Sequence, residues 1–177
     1  DVLIRMINAA PGEFVLVTLG PLTNIALAVL RDPGIARKVA RCVIMGGTSD
    51  NHGNVTLVGE FNVWADPEAA KIVFESELEI TMVGWDISRK YAVFSDADGA
   101  ALRAIGTPLA HFCVDIQAVL DNFAKSQTHL AGVDLPEPIA MAVAIDAAVI
   151  SASEQLAVLV DASDGLGRGQ TQPDFTR

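Results

Sequence analysis

Three short apolar, β-branched runs decide most of what this chain can fold into: "FVLVTL" (14–19), "ARCVIMGG" (40–47) and "LEITMVGWD" (78–86). Each is long enough for a strand, is largely apolar on both alternating faces, and runs into glycine (Gly20, Gly46-Gly47, Gly84). A strand without a polar face has to be covered on both sides. Between the runs the apolar spacing turns helical. In "LTNIALAVLRD" (22–32) it falls at Leu22, Ile25, Ala26 and Val29, and the stretch stops before Pro33-Gly34. A second helix is expected over 66–76, with Asp66 as N-cap, Pro67 in the first position, and Ala69, Ile72 and Val73 as the apolar face. Further helices are expected over 108–124 and over 139–149 ("IAMAVAIDAAV"), the latter buried, with a late strand in "QLAVLVD" and an edge element in the tail 162–177. The alternation predicts an α/β fold, one domain over 1–177, with an open, mainly parallel sheet and helices on both faces. Ligands of such sheets bind beyond the carboxyl ends of the strands. The polar residues just after each run are therefore the ones that matter.

Composition narrows the partners. Hydrophobic residues make up 51% and charged residues 19% of the 177, which suits a packed core rather than disorder. A net charge of −10 argues against a nucleic-acid partner, which would want a basic face. The apolar runs stop well short of the roughly 20 residues that span a bilayer, and no leader pattern opens the chain, so a soluble, cytoplasmic protein without membrane contact is expected. Cys42 and Cys113 form no CxxC pair and read as buried, reduced thiols. His52, His111 and His129 lack zinc-ligand spacing.

Four segments carry candidate chemistry. In "GEFNVWADPEAA" (59–70), an extended backbone would turn Glu60 and Asn62 to one side and Phe61 into the protein. An acceptor beside a donor–acceptor suits the neighbouring hydroxyls of a ribose or another polyol; the alternative is a solvated Glu60 and an Asn62 that caps a turn. "MGGTSDNHGNVT" (45–56) brings backbone N–H groups within reach of a ligand but is neither a P-loop nor a dinucleotide fingerprint. "LGPLTN" offers a helix N-terminus for an anion or a tight turn. In "LPEPIAMAVAID" (135–146), Pro136 and Pro138 are expected to hold Glu137 extended, as a metal ligand or as a partner of the helix dipole, while Asp146 reads as structural.

Taken in order, "VTLGPLTNIALAV", "VIMGGTSDNHGNVT", "EFNVWADPEAAKIVF", "ITMVGWDIS", "LPEPIAMAVAID" and "GRGQT" resemble the inosine-uridine preferring nucleoside hydrolase family over nearly the whole chain. The resemblance implies hydrolysis of the N-glycosidic bond of ribonucleosides, through an oxocarbenium-like transition state, to ribose and free base. It also implies one calcium, which holds the attacking water and the ribose 2′- and 3′-hydroxyls. Matched by position, Asn54 and Glu60 would meet the 5′-hydroxyl end, Asn62 the ring hydroxyls, and Met45 would line the ribose pocket. Leu19 would offer its main-chain carbonyl to calcium and Glu137 its carboxylate. Trp64 and Trp85 would stack on a base or pack, with packing preferred. Relatives form dimers or tetramers, so a homo-oligomer is expected.

Two departures from the family pattern stand out. Its DxDPGxDD cluster, which supplies most calcium ligands and the general base, is not among these residues, so the sheet is expected to be incomplete at its N-terminal side: a fragment of a longer protein, or a decayed or split relative. The family's acid, a histidine, is replaced by Pro136, which can donate no proton. The catalytic groups therefore stay unknown, with His52 and His129 as formal candidates for the acid. Two other readings remain open: a non-catalytic relative that binds a ligand or partner, and a Rossmann-type nucleotide binder.

Overall fold

The computed structural model describes residues 1–124, 126 and 132–176. The chain divides into two compact units, Asp1–Asp86 with Glu137–Arg177, and Ile87–Pro136.

The larger unit opens with α1 (Val2–Ala9), β1 (Val15–Thr18) and α2 (Thr23–Arg31), then a 3-10 segment (Pro33–Lys38) and β2 (Arg41–Met45). A one-turn helix α3 (Phe61–Trp64), α4 (Pro67–Phe74) and β3 (Ile80–Val83) follow. The chain leaves this unit through α5 (Trp85–Tyr91). All three glycine-terminated runs thus become strands, and they form one parallel sheet in the order β1-β2-β3. β2 lies in the middle, with Val43 opposite Val17 on one side and Thr81 on the other. Its residues Cys42, Val43 and Ile44 are fully buried. Side chains alternate along a strand. Cys42 and Ile44 join α2 (Ile25, Ala26, Val29) and α4 (Ala69, Ala70, Val73) in the main core. On the opposite face Arg41 donates to the carbonyl of Ala144 at 2.6 Å. Burial pushes the Cys42 thiol up to about 12, so it stays protonated and inert at neutral pH.

The smaller unit contains β4 (Val93–Phe94), α6 (Asp96–Ala104), α7 (Pro108–Asp115), α8 (Ala118–Phe123) and β5 (Val133–Asp134). β4 and β5 pair antiparallel. The helix expected over 108–124 is thus two helices, with Ile116 and Gln117 between them; nothing in the sequence marks this break.

After α9 (Pro136–Ile145) a 3-10 turn (Ala147–Val149) leads to β6 (Val158–Val160) and β7 (Thr171–Pro173). The late strand and the edge element both exist, but they pair antiparallel with one another rather than extending the parallel sheet. Asp146 is not late in a helix. It takes up extended backbone and accepts from Ala148 N at 2.9 Å, as a short acid that caps the next turn does. α9 is also only half buried: Ala140 and Val143 are covered, whereas Met141 and Ile145 are exposed.

Asp66 caps α4 as expected, accepting from Ala69 N at 3.0 Å, and its other oxygen accepts from the Thr23 hydroxyl at the start of α2. The acid therefore joins two helix N-termini. Asp66→Ala should lower stability by about 1–2 kcal/mol, and Thr23→Val by a smaller share of the same loss, as read from urea denaturation.

Candidate active site

β2 delivers Met45 to its carboxyl end, and the chain then turns through Gly46 and Gly47. Gly47 has φ +70°, and a Cβ there would lie 2.6 Å from the Thr171 methyl. Only glycine fits without strain. From this turn the Gly47 N–H donates to Glu60 Oε2 at 2.7 Å.

Glu60 is not in an extended strand. It is the N-cap of α3, with φ −84° and ψ 144°, and its carboxylate also accepts from Asn62 N (3.1 Å) and Val63 N (3.4 Å). Those are the amides a helix start leaves without partners. Glu60 is 2% exposed and Asn62 6%, whereas Phe61 is half exposed. Both polar residues do turn inward together, but helical rather than strand geometry brings them there, so Phe61 points out instead of in. The solvated-Glu60 reading fails on burial. Asn62 Nδ2 donates to Met45 O (3.2 Å) and meets Met45 Sδ at 3.0 Å, which ties α3 to the end of β2. Its Oδ1 is left as the group that can accept from a ligand.

The electrostatics follow from this burial. Desolvation raises the Glu60 pKa above the ordinary 4.5, the three amide hydrogen bonds oppose that shift, and the charge of Glu137 adds to it. Pro136 and Pro138 do not hold Glu137 extended, because α9 begins at Pro136 and places Glu137 in its first turn. Proline suits that position, where an N–H would find no helical acceptor.

The remaining predicted residues are placed less centrally. Asn54 is exposed, and its Oδ1 accepts from Phe61 N at 2.9 Å, so it supports the start of α3. Leu19 lies just past β1 and is 42% exposed. Trp64 packs on Gly169, whose added Cβ would come within 2.8 Å of the Trp64 Cα. Trp85 meets the exposed His52 ring edge-on at 6.0 Å. His129 lies outside the described residues.

Calcium takes about six to eight oxygen ligands. Among the described residues no group of three or more His, Cys, Asp or Glu side chains is placed to hold a metal ion. The Glu137 carboxylate and the Leu19 carbonyl by themselves are too few for such a shell.

Several contributors were not singled out from sequence. Thr171, fully buried, accepts from Thr48 N (2.8 Å) and donates to Thr48 O (2.7 Å). Gln170 donates to Asn51 Oδ1 at 2.8 Å, and Asp86 takes both Ser49 N (3.1 Å) and Ser49 Oγ (2.7 Å). Arg168 grips both oxygens of Glu68 in α4 at 2.8 and 2.9 Å. The signal was present in "GRGQT", but its contacts lie a hundred or more residues away in sequence.

Comparison with known proteins decides what these clasps belong to. The inosine-uridine preferring nucleoside hydrolase family matches residues 1–177. The chain belongs to that family. Among relatives, the inosine-uridine preferring nucleoside hydrolase of Leishmania major is 38% identical over 93% of this chain and 51% of its own length. A pyrimidine-specific ribonucleoside hydrolase of Enterobacter sp. (strain 638) is 41% identical over 71% of this chain and 38% of its own. A solved plant nucleoside hydrolase superposes with a TM-score of 0.93 at 32% identity, covering 98% of this chain and 54% of that one. The chain thus spans about half the length, or less, of the nucleoside hydrolases it matches. The family assignment and the nucleoside hydrolase fold inferred from the ordered motifs both hold, and the Rossmann-type alternative falls away. Among the described residues no helix is long and apolar enough to cross a membrane.

Proposed function

We propose that this chain supplies the ribose-recognising half of a nucleoside hydrolase site, whose complete form cleaves the N-glycosidic bond of a ribonucleoside to ribose and free base. The observation that carries this is the buried, inward-turned pair Glu60 and Asn62 at the carboxyl end of the central strand. A carboxylate has about four lone-pair positions. Amides fill three of them here, which leaves one for a sugar hydroxyl. Asn62 Oδ1 adds an acceptor, and Met45 an apolar wall. Asn54 sits beside them at the start of α3. In the complete protein we assign calcium to a site to which this chain contributes Glu137 and the Leu19 carbonyl, with the other oxygens from an aspartate segment of the DxDPGxDD kind. The resemblance supports this assignment and a homo-oligomer, while a cytoplasmic protein with a single domain is the reading of composition and length.

Incubation of the complete, aspartate-bearing protein with inosine and with uridine tests the reading. Free base and reducing sugar should appear with calcium and cease on chelation. No release from either nucleoside would overturn it. Relatives at similar identity are named inosine-uridine preferring and pyrimidine-specific, so the base is left to be read from that assay.

Binding without hydrolysis is the second reading, favoured for the 177 residues taken alone by Pro136 at the acid position and by the small ligand set. Calorimetry with calcium on this chain should show weak binding. Tight binding would mean that its own residues complete the site.

A further inference from the structure

The clasp between the two ends of the larger unit reaches Glu60. Thr171 closes both backbone hydrogen-bonding groups of Thr48 with one hydroxyl, as acceptor from the N–H and donor to the C=O. Its methyl fills the space beside Gly47 that a Cβ would need. Gly47 can then hold its left-handed φ and aim its N–H at Glu60 Oε2. Thr48, Glu60 and Thr171 are all essentially excluded from water. A buried hydrogen-bonded turn of this kind has one arrangement, so a change at Thr171 is felt at the carboxylate. The neighbouring contacts hold the same loop from outside: Gln170 on Asn51, and Asp86 on Ser49.

We propose that Thr171 is a positioning residue for the substrate-facing carboxylate: its hydroxyl fixes the Gly47–Thr48 turn, and that turn sets the orientation of Glu60. The chemical role of Glu60 rests on the function proposed above, whereas its positioning by Thr171 does not, and the two are tested separately. β7 is then more than an edge ribbon. It ties a residue late in the chain to a contact made at the end of β2.

The test compares Thr171→Val, which keeps the shape and removes the hydroxyl, with Thr171→Ser, which keeps the hydroxyl. Carbon-detected NMR of labelled glutamate carboxyls follows the Glu60 titration in the 177-residue chain, with no substrate present. Loss of the Gly47 N–H bond removes one of the contacts that oppose desolvation, so Glu60 in Thr171→Val should titrate at higher pH than in the wild type. The Gly47 amide should exchange with solvent roughly tenfold faster. Thr171→Ser should restore both readouts. A Thr171→Val protein that is less stable yet keeps the wild-type Glu60 titration and Gly47 exchange would overturn the proposal and leave Thr171 a core residue only. If Thr171→Val does not fold, Thr171→Ser decides: its Glu60 should titrate as in the wild type, and a displaced titration despite the retained hydroxyl counts against the proposal. Failure of the complete protein to hydrolyse nucleosides, with these shifts observed, would refute the proposed reaction and leave the positioning intact.

Discussion

Glu60→Ala should lower the stability of the 177-residue chain by about 2–4 kcal/mol, because it removes a helix N-cap and leaves the Gly47 N–H buried without an acceptor. The loss should depend on pH in a direction opposite to that of most carboxylates. Desolvation raises the folded-state pKa of Glu60 above its unfolded value, and the nearby charge of Glu137 adds to the rise. The folded state therefore binds the Glu60 proton more tightly than the unfolded state does. The contribution of this group is fullest below about pH 4.5, the unfolded value, and declines as pH rises through the raised folded value. Alanine has nothing to titrate, so the penalty of Glu60→Ala should be largest near pH 4 and shrink towards pH 8. Urea melts of both proteins at the two pH values check this. A penalty that grows with pH would mean that the amide bonds, and not burial, dominate the site.

Ile44→Ala should produce a comparable or larger effect, about 2–5 kcal/mol, equivalent to a fall in Tm of roughly 5–15 °C for a chain of this length. Ile44 is fully buried at the centre of the parallel sheet, paired with Thr18 on one side and Met82 on the other, and packed into the core that α2 and α4 cover. Collapse around the cavity is restrained by backbone hydrogen bonds on both edges of β2. The next residue is Met45, whose carbonyl accepts from Asn62, so a slackened strand end should also loosen the Glu60–Asn62 pair. Calorimetric melting gives the stability term. Faster exchange of the Asn62 and Gly47 amides than of those in α2 would show that the loss is felt first at the site.

The motif segments owe much of their character to each other. Asp66 of the DPEAA segment holds Thr23 of GPLTN. Glu60 holds Gly47 of MGG. Arg168 of GRGQT holds Glu68, and Thr171 holds Thr48. The polar residues that make the family recognisable therefore serve as internal clasps, with Glu60 and Asn62 set among them. Met45, Glu60 and Asn62 converge; Asn54 supports them from the surface; Leu19 and Glu137 supply too few oxygens for calcium without further ligands.

By itself the sequence determined the strands and their direction, because runs apolar on both faces are stable only when covered on both sides, and glycine after each run leaves room for a turn. It determined the capped start at Asp66-Pro67, since capping is a local event within one turn. It also identified the family, through the order of six short segments. Only the tertiary structure decided that Glu60 ends up buried as a helix cap, neither in an extended segment nor solvated. That outcome depends on the Gly47 N–H, 13 residues upstream, and on Thr171, 123 residues beyond Thr48. It likewise decided that Pro136 starts a helix and does not hold Glu137 extended, and that β6 pairs with β7 rather than with the sheet. Local pattern states which groups need partners. Which partners they find is a matter of distant segments brought together by packing, and no short window of sequence contains both.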